Sequence, residues 1–459
     1  MTPLWTAVEA EAATGGKVLG HWSVQAVSID TRALGEKTLF VALAGENRDG
    51  HAFAPEASQA GAVVMVAREE GLPAGAPRLV VQDTLKGLEA LGVTARARTD
   101  ARIVAVTGSV GKTGTKEALR HVLAAQDRTH ASIASYNNHW GVPLSLARMP
   151  KATRFGVFEL GMNHAGEISA LTRMVRPHVA IITRIAPAHL EYFGTLEKIA
   201  DAKAEIFAGL EQGGVAVLPR DDVQFDRLAR AARENGADIV SFGSHEAADW
   251  RLLAFEPTAE GSHVELSHKD RSLRFALGAP GRHWAQNALA VLAAVDALGG
   301  DVEAAALALA EFQPPGGRGQ RRPIKVKGGM ALLLDESYNA NPTSMQAAID
   351  VLGQRPGRRI AVLGDMLELG ASAPDLHAGL APLLSEAHVD LVFLAGPLMR
   401  HLFDALPTDR RGAYRPTAKE LVDPVEAVLQ PGDTVLVKGS LGSRMKLIVD
   451  ALAGKEEVA

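Results

Sequence analysis

Thr107-Gly108-Ser109-Val110-Gly111-Lys112-Thr113 lies between an apolar run, Arg102-Ile103-Val104-Ala105-Val106, and a helix-forming run, Lys116-Glu117-Ala118-Leu119-Arg120. Strand, glycine loop and helix in that order make a phosphate-binding arrangement. The glycines let backbone N–H groups converge on an anion, and the helix N-terminus adds unpaired donors and a partial positive charge. In this role Lys112 reaches the β- and γ-phosphates of a nucleotide and the Thr113 hydroxyl holds Mg²⁺. The strict G-x-x-x-x-G-K-T pattern is not met, because Val106 stands at its first glycine. A short G-x-x-G-K-T match also occurs in ordinary turns; here the flanking strand and helix favour nucleotide binding.

From Arg102 to about Phe312 strands alternate with helices, with strands predicted at 102–107, 154–160, 178–183, 213–218 and 238–242. Such alternation implies a largely parallel sheet covered on both faces, with ligands at the C-terminal strand ends. Polar residues gather at those ends. Asn137-Asn138-His139-Trp140-Gly141-Val142-Pro143 precedes the second strand, Glu159-Leu160-Gly161-Met162-Asn163-His164 closes it, Ala188-His189-Leu190-Glu191 follows the third, and Lys203 lies on the next helix. Taken singly, Glu159 reads as a helix cap, His189 as a loop histidine and Lys203 as a solvated lysine. Sharing strand ends with the glycine loop, they read together as a phosphate and Mg²⁺ site, since Mg²⁺ beside phosphates needs carboxylate or similar ligands. In the run Leu196, Ile199, Ala200, Lys203, Phe207 the lysine falls on the apolar stripe of its helix. Residues 250–277 read as an edge hairpin turning at Glu260–Ser262. A helix over His283–Ala290 follows, with Asn287 near its start, where an amide meets a purine edge as readily as it packs.

Gln313-Pro314-Pro315-Gly316-Gly317-Arg318-Gly319 is the clearest linker, because consecutive Pro and Gly end helices and resist sheet pairing. Beyond it strands are predicted at 331–335, 358–363, 390–395 and 433–438, and helices at about 343–353, 376–386, 418–429 and 443–453. This is a second doubly wound unit without a glycine loop. Asp335-Glu336-Ser337-Tyr338-Asn339-Ala340-Asn341-Pro342 follows its first strand and Lys438-Gly439-Ser440-Leu441-Gly442-Ser443-Arg444 its last, where an α/β sheet offers ligand positions or simply turns. Residues 1 to about 100 read as a small α/β unit with strands at Val24–Ile29, Thr38–Leu43, Ala62–Val66 and Arg78–Val81 and a helix from Leu85. Ser28-Ile29-Asp30-Thr31-Arg32 there combines hydroxyls with a guanidinium, which suits a phosphate or sugar and equally a turn. Gly45-Glu46-Asn47-Arg48-Asp49-Gly50-His51 is a polar loop. The expectation is thus an α/β chain of three domains, residues 1–100, 101–313 and 314–459, in keeping with about 150 residues per domain over 459 residues.

Composition narrows the class. A formal charge of −5 gives no general pull toward nucleic acid, and the absence of Cys removes disulfides, thiol nucleophiles and thiolate metal sites together. Glu9 and Glu11 stand where a signal peptide would be basic, and no apolar run approaches the roughly 18 residues of a membrane span. A soluble, cytoplasmic chain with no membrane insertion is expected.

The ordered set Thr-Gly-x-x-Gly-Lys-Thr, Asn-Asn-x-x-Gly-x-Pro, Glu-Leu-Gly, Ala-His-Leu-Glu, Ala-Lys-Ala-Glu-Ile and Tyr-Asn-Ala-Asn-Pro resembles the Mur ligases from about residue 24 to 450. Ser28–Arg32, Asp49-Gly50-His51, Tyr338–Pro342 and Val437-Lys438-Gly439-Ser440 look most like the members that add D-alanyl-D-alanine to UDP-N-acetylmuramoyl-tripeptide. The resemblance implies an N-terminal domain for the UDP end of the precursor, a central P-loop ATPase with a parallel sheet, and a Rossmann-like C-terminal domain that helps bind nucleotide and the amino component. It implies ATP and Mg²⁺, the two peptide substrates as partners, and a monomer. By position it makes Gly108, Ser109, Val110, Gly111, Lys112 and Thr113 the phosphate loop. Thr113, Glu159, His189 and Lys203 become metal-site residues, the last matching a lysine carboxylated in relatives, and Lys112, Lys203, His189 and Glu159 the catalytic set. Asn138 falls near the phosphates, Asn287 at adenine, and Arg318, Asp335 and Asn339 complete the nucleotide site. Ser28, Thr31, Arg32, Asn47, Asp49, His51, Asn341 and Lys438 are the expected substrate contacts. Two positions depart from the pattern: Gly114 stands where a hydroxyl residue is usual, and Trp284 replaces the common Asn after His283.

The chemistry implied is phosphorylation of the tripeptide carboxylate by ATP, attack of the dipeptide amine on the acyl phosphate, and loss of phosphate, with no protein nucleophile. A folylpolyglutamate synthase would share the ATPase centre but lack the N-terminal unit and the Tyr338–Pro342 stretch. A GTPase switch would need a base-reading Asn-Lys-x-Asp motif, which is absent. A non-catalytic nucleotide-binding scaffold leaves the clustered acidic, histidine and lysine positions unexplained.

Overall fold

A computed structural model describes residues 2–454 other than Glu36, Glu46, Asn47, Ala134, His189 and Ala259. Its centre is the strand Arg102–Thr107, buried on both faces: Ile103 and Ala105 enter one apolar core, Val104 and Val106 the other. The uninterrupted apolar run of the sequence is the signature of such a strand. It pairs in parallel with Phe155–Glu159 on one side and Val179–Ile182 on the other, so the chain leaves it in both directions and opens a crevice at the C-terminal strand ends.

Nine strands form this sheet, in the order Arg271–Leu277, Ser262–His268, Trp250–Pro257, Asp238–Gly243, Val215–Pro219, Val179–Ile182, Arg102–Thr107, Phe155–Glu159 and Thr129–Ala131. The predicted edge hairpin is a three-stranded antiparallel extension, Trp250–Pro257 through Arg271–Leu277. Thr129–Ala131 carries no apolar alternation of its own and is held by its parallel ladder to Phe155–Val157. Helices Lys112–Ala124 and Arg282–Ala297 cover one face; Gly141–Ala147, Glu167–Val175, Leu196–Ala204 and Phe225–Glu234 cover the other.

The N-terminal sheet has five strands, Lys17–Leu19, Arg78–Val80, Val63–Val66, Thr38–Val41 and Ala26–Ser28, parallel except for the first. The preceding helix Ala7–Thr14 begins at a capping box in which Thr6 and Glu9 satisfy each other's backbone N–H groups. This unit docks on the central one through Trp5, wholly buried, whose Nε1 donates to Ala147 O at 2.8 Å while the Arg98 guanidinium lies 3.7 Å above its ring. Arg148 adds a 2.6 Å bond from Nε to Val27 O.

The C-terminal sheet has six strands in the order Gln320–Val326, Gly329–Glu336, Thr434–Lys438, Arg359–Gly364, Leu391–Ala395 and Arg411–Arg415, with only Gln320–Val326 antiparallel. The helix expected at 376–386 is divided at Gly379 into Ala373–Ala378 and Leu380–Glu386. The last begins at Lys446 rather than 443, because Arg444 takes a left-handed conformation, φ 55°, after the short turn Leu441–Ser443. No helix among the described residues is long and apolar enough to cross a membrane.

His178 fastens the entry to the central sheet: its Nδ1 accepts the Ile103 N–H at 3.0 Å, so the bond requires a neutral ring protonated on Nε2. Burial first, then the Arg102 and Arg96 charges, push its pKa down to about 4 from 6.5. A depressed histidine contributes stability that is whole above its unfolded value and is lost as pH falls toward the folded one. The melting temperature should therefore fall between pH 6.5 and 4, and by less in His178→Asn, whose amide oxygen accepts a hydrogen bond without titrating; equal losses in the two proteins would refute this.

Candidate active site

The helix that follows the glycine loop starts without a side-chain cap. Gly111, at φ 87°, ends the loop and caps helix Lys112–Ala124 with no side-chain hydrogen bond, so the N–H groups of the first turn face the crevice. Ser109 Oγ is buried without a hydrogen-bond partner. A built anion site looks like this. Gly108, at φ 148°, approaches Thr183 so closely that a Cβ there would sit 1.9 Å from Thr183 Oγ1. Thr183 in turn donates to Val110 O at 2.6 Å, and Ser109 N donates to Arg184 O at 2.8 Å. Thr183 and Arg184 escaped the sequence reading, although they directly follow the third strand at its ligand end.

Glu159, 1 % exposed, ends the neighbouring strand with its carboxylate on the start of the helix. Oε2 accepts the Thr113 hydroxyl at 2.7 Å and Oε1 accepts Asn137 Nδ2 at 2.8 Å. Asn138, expected near the phosphates, lines the cleft, and its Oδ1 accepts Gly141 N at 2.9 Å and shapes the turn into the next helix. Lys112 Nζ donates to Gly108 O at 2.6 Å. Burial lowers its pKa, with Glu159 opposing and Arg318 reinforcing. Lys203 is 1 % exposed, and burial, then the Lys112 charge, holds it well below the ordinary lysine range. His189 lies outside the described residues.

Opposite this wall stands the C-terminal unit, and the cleft between them measures about 1220 Å³. Ser109, Lys112, Asn138, Glu159 and Asn287 line one side, and Arg318, Asn339, Asn341 and Lys438 the other. Asn287 packs on the loop: a Cβ on Gly111 would lie 3.1 Å from its Oδ1. Arg318 stacks 4.1 Å from the Tyr338 ring and reaches Ser135 Oγ at 3.3 Å across the cleft. Asp335 is buried, and its carboxylate accepts Gly317 N at 2.9 Å, Ser337 N at 3.1 Å and Ser337 Oγ at 2.6 Å, so it holds the linker in place. Its neighbour Glu336 lines the cleft and accepts Lys438 Nζ at 3.2 Å; Lys438 also donates to Asn339 O at 3.0 Å. Asn341 caps helix Pro342–Gly353 in a capping box with Ser344.

The N-terminal candidates form two local clusters away from this cleft. Ser28 Oγ bonds the Asp30 backbone at both N–H and C=O, and Asp30, held at a pKa of about 2 chiefly by the Arg32 hydrogen bond, pairs with that exposed guanidinium at 2.6 Å just before the Thr31–Ala33 turn. His51 has both ring nitrogens engaged, Nδ1 with Asp49 at 2.7 Å and Nε2 accepting Ala67 N at 2.9 Å. Asn47 lies outside the described residues.

Among the described residues no three His, Asp or Glu side chains converge as a metal cage. Mg²⁺ does not require one: it retains waters and is held by one or two carboxylates plus substrate phosphates. The buried Thr113–Glu159 oxygen pair beside an unpartnered Ser109 hydroxyl fits that mode.

Comparison with known proteins agrees over the whole chain. Residues 23–99 match the "Mur ligase family, catalytic domain" model, 106–295 the "Mur ligase middle domain" and 317–441 the "Mur ligase, glutamate ligase domain". The UDP-N-acetylmuramoyl-tripeptide–D-alanyl-D-alanine ligase of Escherichia coli (strain K12) is 36% identical, covering 94% of each chain. The crystal structure of MurF from Acinetobacter baumannii superposes with a TM-score of 0.87 at 32% identity over 99% of both chains. MurF ligase from Thermotoga maritima, solved in complex with ADP, gives 0.79 at 26% identity over 94% of this chain and 97% of that one. With a glycine loop on a parallel sheet facing a second doubly wound unit across one cleft, and relatives aligned end to end, the chain belongs to the Mur ligase family.

Proposed function

We propose that the protein joins D-alanyl-D-alanine to UDP-N-acetylmuramoyl-tripeptide using ATP, yielding the UDP-muramoyl-pentapeptide of peptidoglycan synthesis with ADP and phosphate. The observation that carries this reading is a cleft in which a phosphate loop and an uncapped helix start face Arg318, Asn339, Asn341 and Lys438 from another unit. Units 1–100 and 101–313 take the precursor's UDP end and ATP, and unit 314–459 helps bind the nucleotide and takes the amino component.

The geometry suits phosphoryl transfer followed by acyl transfer. The loop N–H groups, Ser109 and Lys112 hold the ATP phosphates, and the Lys112 ammonium meets the charge that grows on the γ-phosphoryl oxygens as the tripeptide carboxylate attacks. Arg318 closes the far side of the same site. The dipeptide amine then attacks the acyl carbon and phosphate departs, so the product amide forms without a protein nucleophile. Thr113, Glu159, His189 and Lys203 would hold Mg²⁺, which when bound neutralises phosphate charge. An ammonium cannot ligate a cation, so Lys203 acts as its carbamate, the adduct of neutral amine and CO₂; burial in an apolar helix face supplies the neutral amine.

ADP release should require both a UDP-muramoyl tripeptide, tested with diaminopimelate or lysine as its third residue, and D-alanyl-D-alanine; release indifferent to the dipeptide would overturn the reading. Lys112→Ala should lose about 100- to 1,000-fold or more in turnover with an unchanged melting temperature. Turnover within tenfold of wild type at saturating ATP would mean that the loop is misassigned. Lys203→Ala should be nearly inactive and partly restored by acetate, whereas Lys203→Arg, retaining bulk and charge, should not respond. Full activity of Lys203→Ala without added acid would exclude the carbamate.

A further inference from the structure

Gly114 of the phosphate-loop helix and Trp284 touch each other. A Cβ built on Gly114 would lie 2.6 Å from Trp284 Cη2 and 2.9 Å from Cζ3, inside any permitted contact. Trp284 is 5 % exposed, packs against Phe312 with ring centroids 5.4 Å apart, and turns its Nε1 toward the linker, 3.5 Å from where a Cβ on Gly319 would sit. The indole is therefore a plate with its benzene edge on the first turn of the phosphate-loop helix and its pyrrole edge at the hinge between units.

A second contact lies one turn away on each helix. Gly111 and Gly114 are three residues apart, as are Trp284 and Asn287, so each pair shares one helix face. Two glycine notches on helix Lys112–Ala124 and its cap receive two side chains from Arg282–Ala297: Asn287 at Gly111 and Trp284 at Gly114. The spacing of these helices sets where the loop N–H groups and Lys112 stand. A hydroxyl side chain at 114 and the indole at 284 cannot occupy the same volume; a hydroxyl and an asparagine can.

We propose that Gly114 and Trp284 form one interlocked unit and that Trp284 is a positioning residue for the phosphate loop, braced against the linker at Gly319. The inference rests on the reading that this loop binds ATP. Mispositioned loop donors weaken every phosphate contact, so each single exchange raises KM for ATP. A purely structural role would lower the amount of active enzyme, and hence the apparent kcat, without moving KM.

The test compares wild type, Gly114→Ser, Trp284→Asn and the double variant. Each single variant should raise KM for ATP at least tenfold while KM for D-alanyl-D-alanine moves less than twofold. The double variant, in which the serine occupies space vacated by the ring, should return to within threefold of wild type. Single effects that multiply in the double variant, or single variants that leave KM for ATP unchanged, overturn the proposal. If Gly114→Ser fails to fold, the double variant still decides: it should fold, and loss of its ATP affinity refutes the interlock. ADP titration followed by tryptophan emission needs neither peptide substrate and so separates this proposal from the ligase reading. The ADP-induced change of wild type should disappear in Trp284→Phe, and its persistence there would place the responding indole elsewhere.

Discussion

A buried carboxylate with both oxygens satisfied is the constraint on which the site depends. Glu159 is only 1 % exposed, at the wall of the cleft, and leaving a buried carboxylate unpartnered costs several kcal/mol or more. The cost is offset by the Thr113 hydroxyl on one oxygen and the Asn137 amide on the other. Satisfying both fixes three segments at once: the end of strand Phe155–Glu159, the start of helix Lys112–Ala124 and the loop before helix Gly141–Ala147. The parallel register in which Glu159 lies beside Val106 brings the carboxylate to the loop. A slip of one residue would turn it to the other face and break all three connections.

Around this point the three units are joined by polar contacts and, between the first two, by an apolar core that Leu144 and Ala147 enter from the central unit. Trp5 and Arg148 fasten the N-terminal unit to helix Gly141–Ala147 and its C-terminal flank, the helix whose entry Asn138 shapes. Asp335 fixes the linker by accepting Gly317 N, and Arg318 spans the cleft to Ser135. A further bond, Glu191 N to Glu368 O at 3.3 Å, joins the segment after the third strand to a loop in which Glu368 takes a left-handed conformation, φ 62°. The glycine-loop wall of the cleft is thus tied together within the central unit, and the opposing wall follows a linker of glycine and proline that Asp335 holds.

Much of this was legible in the chain. The run at 102–106 reads as a doubly buried strand because it is apolar at every interior position, and the strands that alternate with helices beyond it fall within a few residues of their predicted limits. The strands missed in the three large sheets share a physical cause. Thr129–Ala131, Lys17–Leu19, Gln320–Val326 and Arg411–Arg415 lie at sheet edges, where the backbone ladder of a neighbour holds a strand whose own side chains are polar or exposed. Helix Ala7–Thr14 did carry a local signal, the Thr6-x-x-Glu9 capping box, but too little apolar periodicity to mark it.

For the site, sequence alone determined which chemistry is present: a glycine loop ending in Lys112-Thr113, an acid at the next strand end, a lysine on an apolar helix stripe, and a Pro/Gly break before a second sheet. These follow from backbone conformational limits and from hydrophobic period, both local properties. Tertiary structure alone decided which neighbours meet. It brought Asn137 onto Glu159, set Asp335 to hold the linker while Glu336 faces the cleft, closed both ring nitrogens of His51 within its own unit, and laid Trp284 on Gly114. Adjacent residues on a strand or turn point in opposite directions, and residues 170 positions apart touch only once two helices have packed. Contacts of that kind are set by the register and spacing of whole elements, which no local stretch of sequence encodes.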